Sequence, residues 1–307
     1  MRAFLLRRLV HSVFVVWGVV TVVFFLVRLT GDPAAFLVDQ TATREEVAHA
    51  RHLLGLDRPL HVQYLDFLGS AVRGDFGTSI RERRPAMRMV LEHFWPATVE
   101  LSAAALVLST LLAIPLGVVS ATHKDRAPDH LSRVASLFLQ SMPGFWLGIM
   151  LILLFAVALG GLLPAYGSGT LRHLILPAVA LAAAPLAQNV RLIRSGMLDV
   201  LAQDYVRTAR AKGVAERRVI YRHALRNAAL PFVTVTGLSL GFMLSGAIVI
   251  ETVFSWPGLG RLIVQAVPGR DFPVIQAGVF VFALVFVGIN LLVDVLYTVV
   301  DPRVSLS

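Results

Sequence analysis

DYVRTARAKGVAERRVIYRHALRNAALP, residues Asp204–Pro231, is the most basic stretch of the chain, and long apolar runs flank it on both sides. Arginines in this number do not enter hydrocarbon without partners, so the strip belongs at a membrane surface between two spans. Gly213 divides it. Before the glycine, Leu198, Leu201, Ala202, Tyr205 and Ala209 recur at helical spacing and make one apolar face. After it, Ile220, Tyr221, Ala224, Leu225 and Ala228 make a second stripe, while Arg218, Arg222 and Arg226 lie four apart on the other face. Gly213 suits a left-handed C-cap. The strip is expected to form two short amphipathic helices joined by a glycine turn. A plain loop held at the surface by its positive charge is the alternative, but such a loop has no need of two helical periods.

Outward from the strip, the 307 residues are 56% hydrophobic and 15% charged. Soluble domains are about half apolar and about a quarter charged. The apolar excess sits in blocks, which predicts an all-α, polytopic membrane protein. Six segments have spanning length: Leu9–Leu29, Ala97–Val119, Val134–Leu159, Leu174–Ile193, Leu230–Phe254 and Val274–Val300. Pro115, Pro143, Pro177 and Pro185 are read as kinks, which neighbouring helices tolerate. The first 29 residues imitate a signal peptide, but the run is too long and no cleavage site follows, so an uncleaved signal anchor is expected.

The net charge of +9 fits retention of basic residues in inner loops. No nucleic-acid motif accompanies it, and no nucleic-acid partner is expected. With the N-terminus inside, the short loops holding Lys124, Arg126 and Arg133, the basic strip, and the tail 301–307 all fall inside. Residues 30–96 are then outside and are expected to form a small helical cap. Thr43 with Glu46 is a capping-box pattern, Gly55 would end that helix, and Pro59 and Pro85 would start two more. The core of five spans covers 97–300, with the inner loop at 195–229.

Chemistry is absent by motif. There is no phosphate loop, no H-E-x-x-H and no G-x-S-x-G. Cysteine is absent, and no span carries a metal-ligand pattern, so neither a metal nor a catalytic residue is expected. Charges at bilayer depth need a purpose. Asp294 is expected to form a structural ion pair with Arg191 or Arg194. Glu251 is read as a gate element or an interfacial cap. The small residues Gly237, Gly241, Ser245 and Gly246 allow close helix contact or leave room for a path. Met142, Phe145, Trp146, Gly241, Ser245 and Glu251 are the candidate path residues.

The strip, DYVRTARAKG followed by HALRNAALP, resembles the inner EAA loop of bacterial ABC-importer permeases. It looks most like the dipeptide/oligopeptide/nickel branch, in the subunit with a long first outer segment. GDPA (31–34), LLGLDRPLHVQY (53–64), GDFGTS (74–79), PATVEL (96–101), SMPGFWLG (141–148), ETVFSWPGLGRL (251–262), RDFPVIQ (270–276) and NLLVDVLYTVVDPR (290–303) carry the resemblance along the chain. Arg207 stands where the general loop has Glu, as in that branch. The resemblance implies a type I importer permease in the bacterial inner membrane. Residues Arg207, Thr208, Ala209, Arg210, Ala211, Lys212, Gly213, Val214, Ala215 and Glu216 would then form the contact with a cytoplasmic ATPase. Implied partners are a second homologous permease, two ABC ATPase subunits using ATP and magnesium, an extracytoplasmic substrate-binding protein and membrane lipid. The chain itself would bind no cofactor and would not be an enzyme. Short peptides such as glutathione are the implied cargo, with a nickel chelate or an opine as the alternative. A stand-alone secondary transporter is the rival of another class; it would depend on an ion gradient rather than on an ATPase. A membrane enzyme would need paired catalytic residues that are missing here.

Overall fold

A computed structural model describes residues 2–29, 43–53 and 55–300. The GDPA motif at 31–34 and the tail 301–307 fall outside these. The described residues form helices joined by turns and loops, with no strand pairing beyond an isolated bridge between Thr78 and Pro85. Among the described residues, five helices are long and apolar enough to cross a membrane, and six if one bent pair counts as a single span. The chain divides into two compact units, one of residues 1–98 and 257–288, the other of 99–256 and 289–307.

The first unit opens with α1 (Arg2–Leu29), followed by α2 (Arg44–Leu53), α3 (Leu60–Val72) and α4 (Ala86–His93). The capping box forms: the Thr43 amide donates to Glu46 at 2.7 Å, and the Glu46 amide donates to the Thr43 hydroxyl at 3.3 Å. Gly55 closes α2 at φ +62°. Tyr64 on α3 meets the Thr21 hydroxyl of α1 at 2.6 Å, and Gln63 accepts two hydrogen bonds from Arg28. The Arg28 guanidinium lies 3.5 Å above the ring of Phe24, a cation–π contact that lets a charge rest on an apolar core. Pro96 lies in a π turn, Phe94–Thr98, whose wider coil accommodates a residue with no N–H to donate. The Thr98 hydroxyl accepts the Leu259 amide at the start of α12 (Leu259–Ala266). Asp271 is buried and gathers the Ser79 hydroxyl and the amides of Ile80 and Arg81, tying down the turn after GDFGTS.

The second unit begins with α5 (Val99–Thr122), α6 (Ala127–Ser141) and α7 (Gly144–Ile152, prolonged by a π turn to Ala158). The third expected span, Val134–Leu159, is broken: it falls on α6 and α7, two helices bent by 102°. Met142 takes extended φ/ψ of −85°/129°, as the residue before a proline prefers, and Pro143 caps the start of α7 at the bend. Pro115, Pro177 and Pro185 stay inside their helices. The 31-residue α8 (Leu171–Leu201) packs against α5, α6 and α7. Glycines set the closest approaches. A Cβ on Gly117 would come within 2.7 Å of Ile193, and one on Gly196 within 3.0 Å of the Ala228 carbonyl.

After α8 come α9 (Asp204–Ala211), the short α10 (Glu216–Arg218) and α11 (Leu225–Val253). The last helix is α13 (Phe272–Val300). Ala113, Val118, Val190, Ile193, Met197, Ala224, Ala228 and Phe232 form one buried cluster under the strip.

Arg194 pairs with a carboxylate that spacing did not point to. Its Nε and Nη2 donate to the two carboxylate oxygens of Asp129 at 2.6 and 2.7 Å. Asp129 is fully buried and also receives the Ser120 hydroxyl at 2.7 Å and the Asp125 amide at 3.0 Å. One carboxylate thus joins α5, α6 and α8, with all its strong acceptor positions in use. Arg191 and Asp294 are both half-buried. Arg194→Ala would strand the Asp129 charge and should cost about 3–5 kcal/mol. Replacing both residues with apolar ones should cost less. Thermal unfolding of the detergent-purified chain measures this, and equal losses in the single and double variants would contradict the coupling.

Candidate functional site

The basic strip is built differently from its sequence pattern in two respects. Leu198 and Leu201 end α8, and a break at Ala202–Gln203 precedes α9, so the first stripe is shared between two helices. The second expected helix is not separate. It runs from Glu216 through a π turn, Val219–Ala224, into α11. The extra residue in that turn shifts the register. Val219 is therefore fully buried and Tyr221 is exposed, while Ala224 and Ala228 stay inside as expected. Arg218, Arg222 and Arg226 are all exposed.

Gly213 stands at φ +75°. Its amide donates to the Arg210 carbonyl at 2.9 Å, and the Val214 amide donates to the Ala209 carbonyl at 3.2 Å. These two bonds are the Schellman closure of a helix. Nothing crowds the glycine, so its backbone angle alone calls for Gly. Arg210 spans the turn to Glu216, with Nη2 and Nε on the two carboxylate oxygens at 2.7 and 3.1 Å. Arg207 pairs with Asp204 at 3.0 Å, and Thr208 donates to the Asp204 carbonyl at 2.9 Å. Ala209 and Val214 are half-buried, while Arg207, Thr208, Arg210, Ala211, Lys212, Gly213, Ala215 and Glu216 are exposed. Two buried residues on either side, Val206 and Val219, fix the base of the turn. Asn227 Nδ2 donates to the Tyr205 hydroxyl at 2.8 Å, closing the hairpin across 22 residues. Sequence spacing gave no signal for this pairing or for Asp129.

A second feature is a cleft of about 390 Å³ between α7, α8 and α11. Its polar lining includes Gln140, Gln188 and Ser239, and no charged residue lines it. Of the candidate path residues, Phe145 lines this cleft, and the other five are not among its lining residues. Met142 is half-buried at the break, Trp146 and Ser245 are exposed, and Gly241 and Glu251 are buried. Gly237 serves close contact: a Cβ there would lie 2.7 Å from Val293.

Comparison with known proteins gives a consistent result. The family described as "Binding-protein-dependent transport system inner membrane component" matches residues 113–306, and its N-terminal companion matches residues 1–102. Over 302 residues, 98% of both chains, the sequence is 43% identical to the glutathione transport system permease protein GsiC of Salmonella typhimurium. It is 42% identical, with the same coverage, to GsiC of Escherichia coli strain K12. Among solved structures, an inward-facing MetNI methionine ABC transporter chain superimposes with a TM-score of 0.59 at 16% identity, covering 70% of this chain and 97% of that one. An amino acid ABC transporter chain gives 0.54 at 14% identity, covering 68% and 93%. At such identities these two establish the fold alone.

The Arg210–Glu216 pair predicts a pH response. The Arg210 hydrogen bonds hold the Glu216 carboxyl below its ordinary value of 4.5, and Arg210 is raised in return. A depressed carboxylate contributes stability in full above its unfolded value, and that contribution is lost as pH falls through the folded value. Both side chains are substantially exposed, so the pair is worth about 0.2–1 kcal/mol. Amide exchange at Gly213 and Val214, referenced to an unstructured peptide, should lose protection as pH falls below about 4.5. Glu216→Gln should show reduced protection at every pH and no such step.

Proposed function

This chain belongs to the binding-protein-dependent transport system inner membrane component family, and on that premise we propose that it is one of two permease subunits enclosing the path of an ATP-driven importer of short peptides. Family membership makes the chain a multi-pass inner-membrane component. It works with a substrate-binding protein and with ATPases that hydrolyse ATP in separate subunits, so it is not itself an enzyme. It also sets aside the stand-alone secondary transporter. The single observation that carries the cargo class is 43% identity across 98% of a glutathione permease.

In this reading both termini and the strip face the cytoplasm, and residues 30–96 face the binding protein. The Gly213 turn docks on an ATPase subunit. The fit is mechanical. A turn closed by the Schellman bonds and by Arg210–Glu216 is ordered before it docks, so little entropy is lost on contact. Motion of the ATPase then moves the turn as a body. Through Val206 and Val219 it acts on α8 and α11, which also wall the Gln140–Gln188 cleft. That cleft is proposed as this subunit's share of the path. A path without charge and with carboxamide donors and acceptors suits peptide bonds, which each carry one donor and one acceptor.

The test is reconstitution with the second permease, the ATPase and the binding protein, followed by uptake of glutathione and dipeptides. Gly213→Val forces a β-branched residue into left-handed geometry at about 1–2 kcal/mol or more. It should leave insertion and permease pairing intact, weaken co-purification of the ATPase and uncouple hydrolysis from uptake. Arg218→Ala should do much less. Normal uptake in Gly213→Val together with loss of the ATPase in Arg218→Ala would move the contact to the other face. Because native cysteine is absent, a single Cys at position 216 reports sidedness. It should resist impermeant reagents applied to intact spheroplasts and react in inverted vesicles.

A further inference from the structure

We propose that the groove between α5, α6 and α8 is a binding site for an anionic phospholipid, holding one acyl chain along α6 and the phosphate at the α5–α6 turn. The groove has a volume of about 340 Å³, and Leu116, Val119, Leu131, Leu139, Leu186 and Val190 are among its lining residues. It is distinct from the Gln140–Gln188 cleft, with which it shares no α7 or α11 residue. Along α6 its lining runs from Pro128 to Leu139. At the rise of an α-helix that is about 16 Å, close to half of a hydrocarbon core roughly 30 Å thick. The groove therefore has the length of one leaflet's acyl region.

Its walls are fixed in advance. Asp129 on α6 holds Arg194 on α8 and Ser120 on α5. The three elements that form the groove are the three that this carboxylate ties together, so the groove does not depend on its occupant to form. The charge lies at one end. α5 and α6 are consecutive and joined by residues His123–Arg126, so this turn sits where the two walls meet. Lys124 and Arg126 in the turn are exposed; Arg133, also exposed and next in sequence to the lining residue Ser132, lies partway along the groove and is not part of this end. Neither Lys124 nor Arg126 makes an ion pair among the described residues. Exposed Asp125 offsets one of these charges. Asp129 offsets none, because it is already engaged by Arg194.

An apolar slot of leaflet length ending in unpaired cations matches the two halves of one molecule. Basic pockets between membrane helices select anionic headgroups over zwitterionic ones. A helix from another subunit would fill the slot and leave the cations unanswered. A free phosphate would answer the cations and leave the slot empty. Val134 and Phe138, exposed on α6 next to the lining residues Ala135 and Leu139, give the second acyl chain an apolar surface.

The experiment is native mass spectrometry of the full-length chain, delipidated and titrated with phosphatidylglycerol or phosphatidylethanolamine of matched chains. Phosphatidylglycerol should be retained preferentially. Lys124→Gln with Arg126→Gln, both on an exposed turn, should weaken its retention about ten- to thirtyfold at low salt and leave phosphatidylethanolamine unchanged. Ala135→Trp, which fills the groove, should lower retention of both lipids. Equal retention of the two lipids by the wild type, or undiminished phosphatidylglycerol on the Lys124/Arg126 variant, would overturn the proposal. So would displacement of the lipid by millimolar inorganic phosphate. In the assembled complex, Ala135→Cys should be shielded from a membrane-soluble maleimide by added phosphatidylglycerol. Shielding that persists without lipid would make the groove a seam between subunits and overturn the lipid assignment.

Discussion

The contact on which most of the second unit depends is the bidentate ion pair between Asp129 and Arg194. It is a costly device, since both charges leave water, and it is tolerated because every strong acceptor direction on the carboxylate is occupied. What it contributes is position. Helices in a membrane gain little from apolar burial against one another, because lipid is as apolar as they are. Direction and register come instead from polar contacts and from close backbone approach. Asp129 supplies the first, and Gly117 and Gly196 supply the second on either side of α8. α8 is held this firmly just where it hands over to the basic strip.

The helical class and most of the spans were legible because hydrophobic length is a one-dimensional signal. So were the capping box at Thr43 and the left-handed turn at Gly213, which are local matters of three or four residues. Pro143 was not legible in the same way. Proline inside an apolar run permits a kink, a continuous helix or a break. This chain uses two of these: Pro115, Pro177, Pro185 and Pro231 remain within helices, while Pro143 begins a new one. What separates the cases is the set of neighbours around each freed carbonyl, and that set is three-dimensional.

The same division runs through the candidate sites. The turn of the strip follows from its own residues, but the facing of its second half does not. The π turn at Val219–Ala224 rotates the residues at its start relative to Ala224 and Ala228, and α-helical counting placed Tyr221 inside and overlooked Val219. Arg194 was recognised as a buried charge needing a partner. Asp129 was passed over because it lies in a loop-like stretch after Pro128, where a carboxylate reads as solvated. Nor did the sequence indicate that Gln140 and Gln188, 48 positions apart, would line one cleft.

The π turn has a consequence of its own. It contains one residue more than the α-helical coil needs, and each residue added to an α-helix rotates what precedes it by about 100°. The exposed turn around Gly213 and the long helix α11 are therefore related by a phase angle written as a residue count, not as a set of contacts. Substitutions on the strip adjust how strongly it grips a neighbour. Only an insertion or deletion between Glu216 and Leu225 re-aims it, in steps of about a quarter turn, with no intermediate setting available.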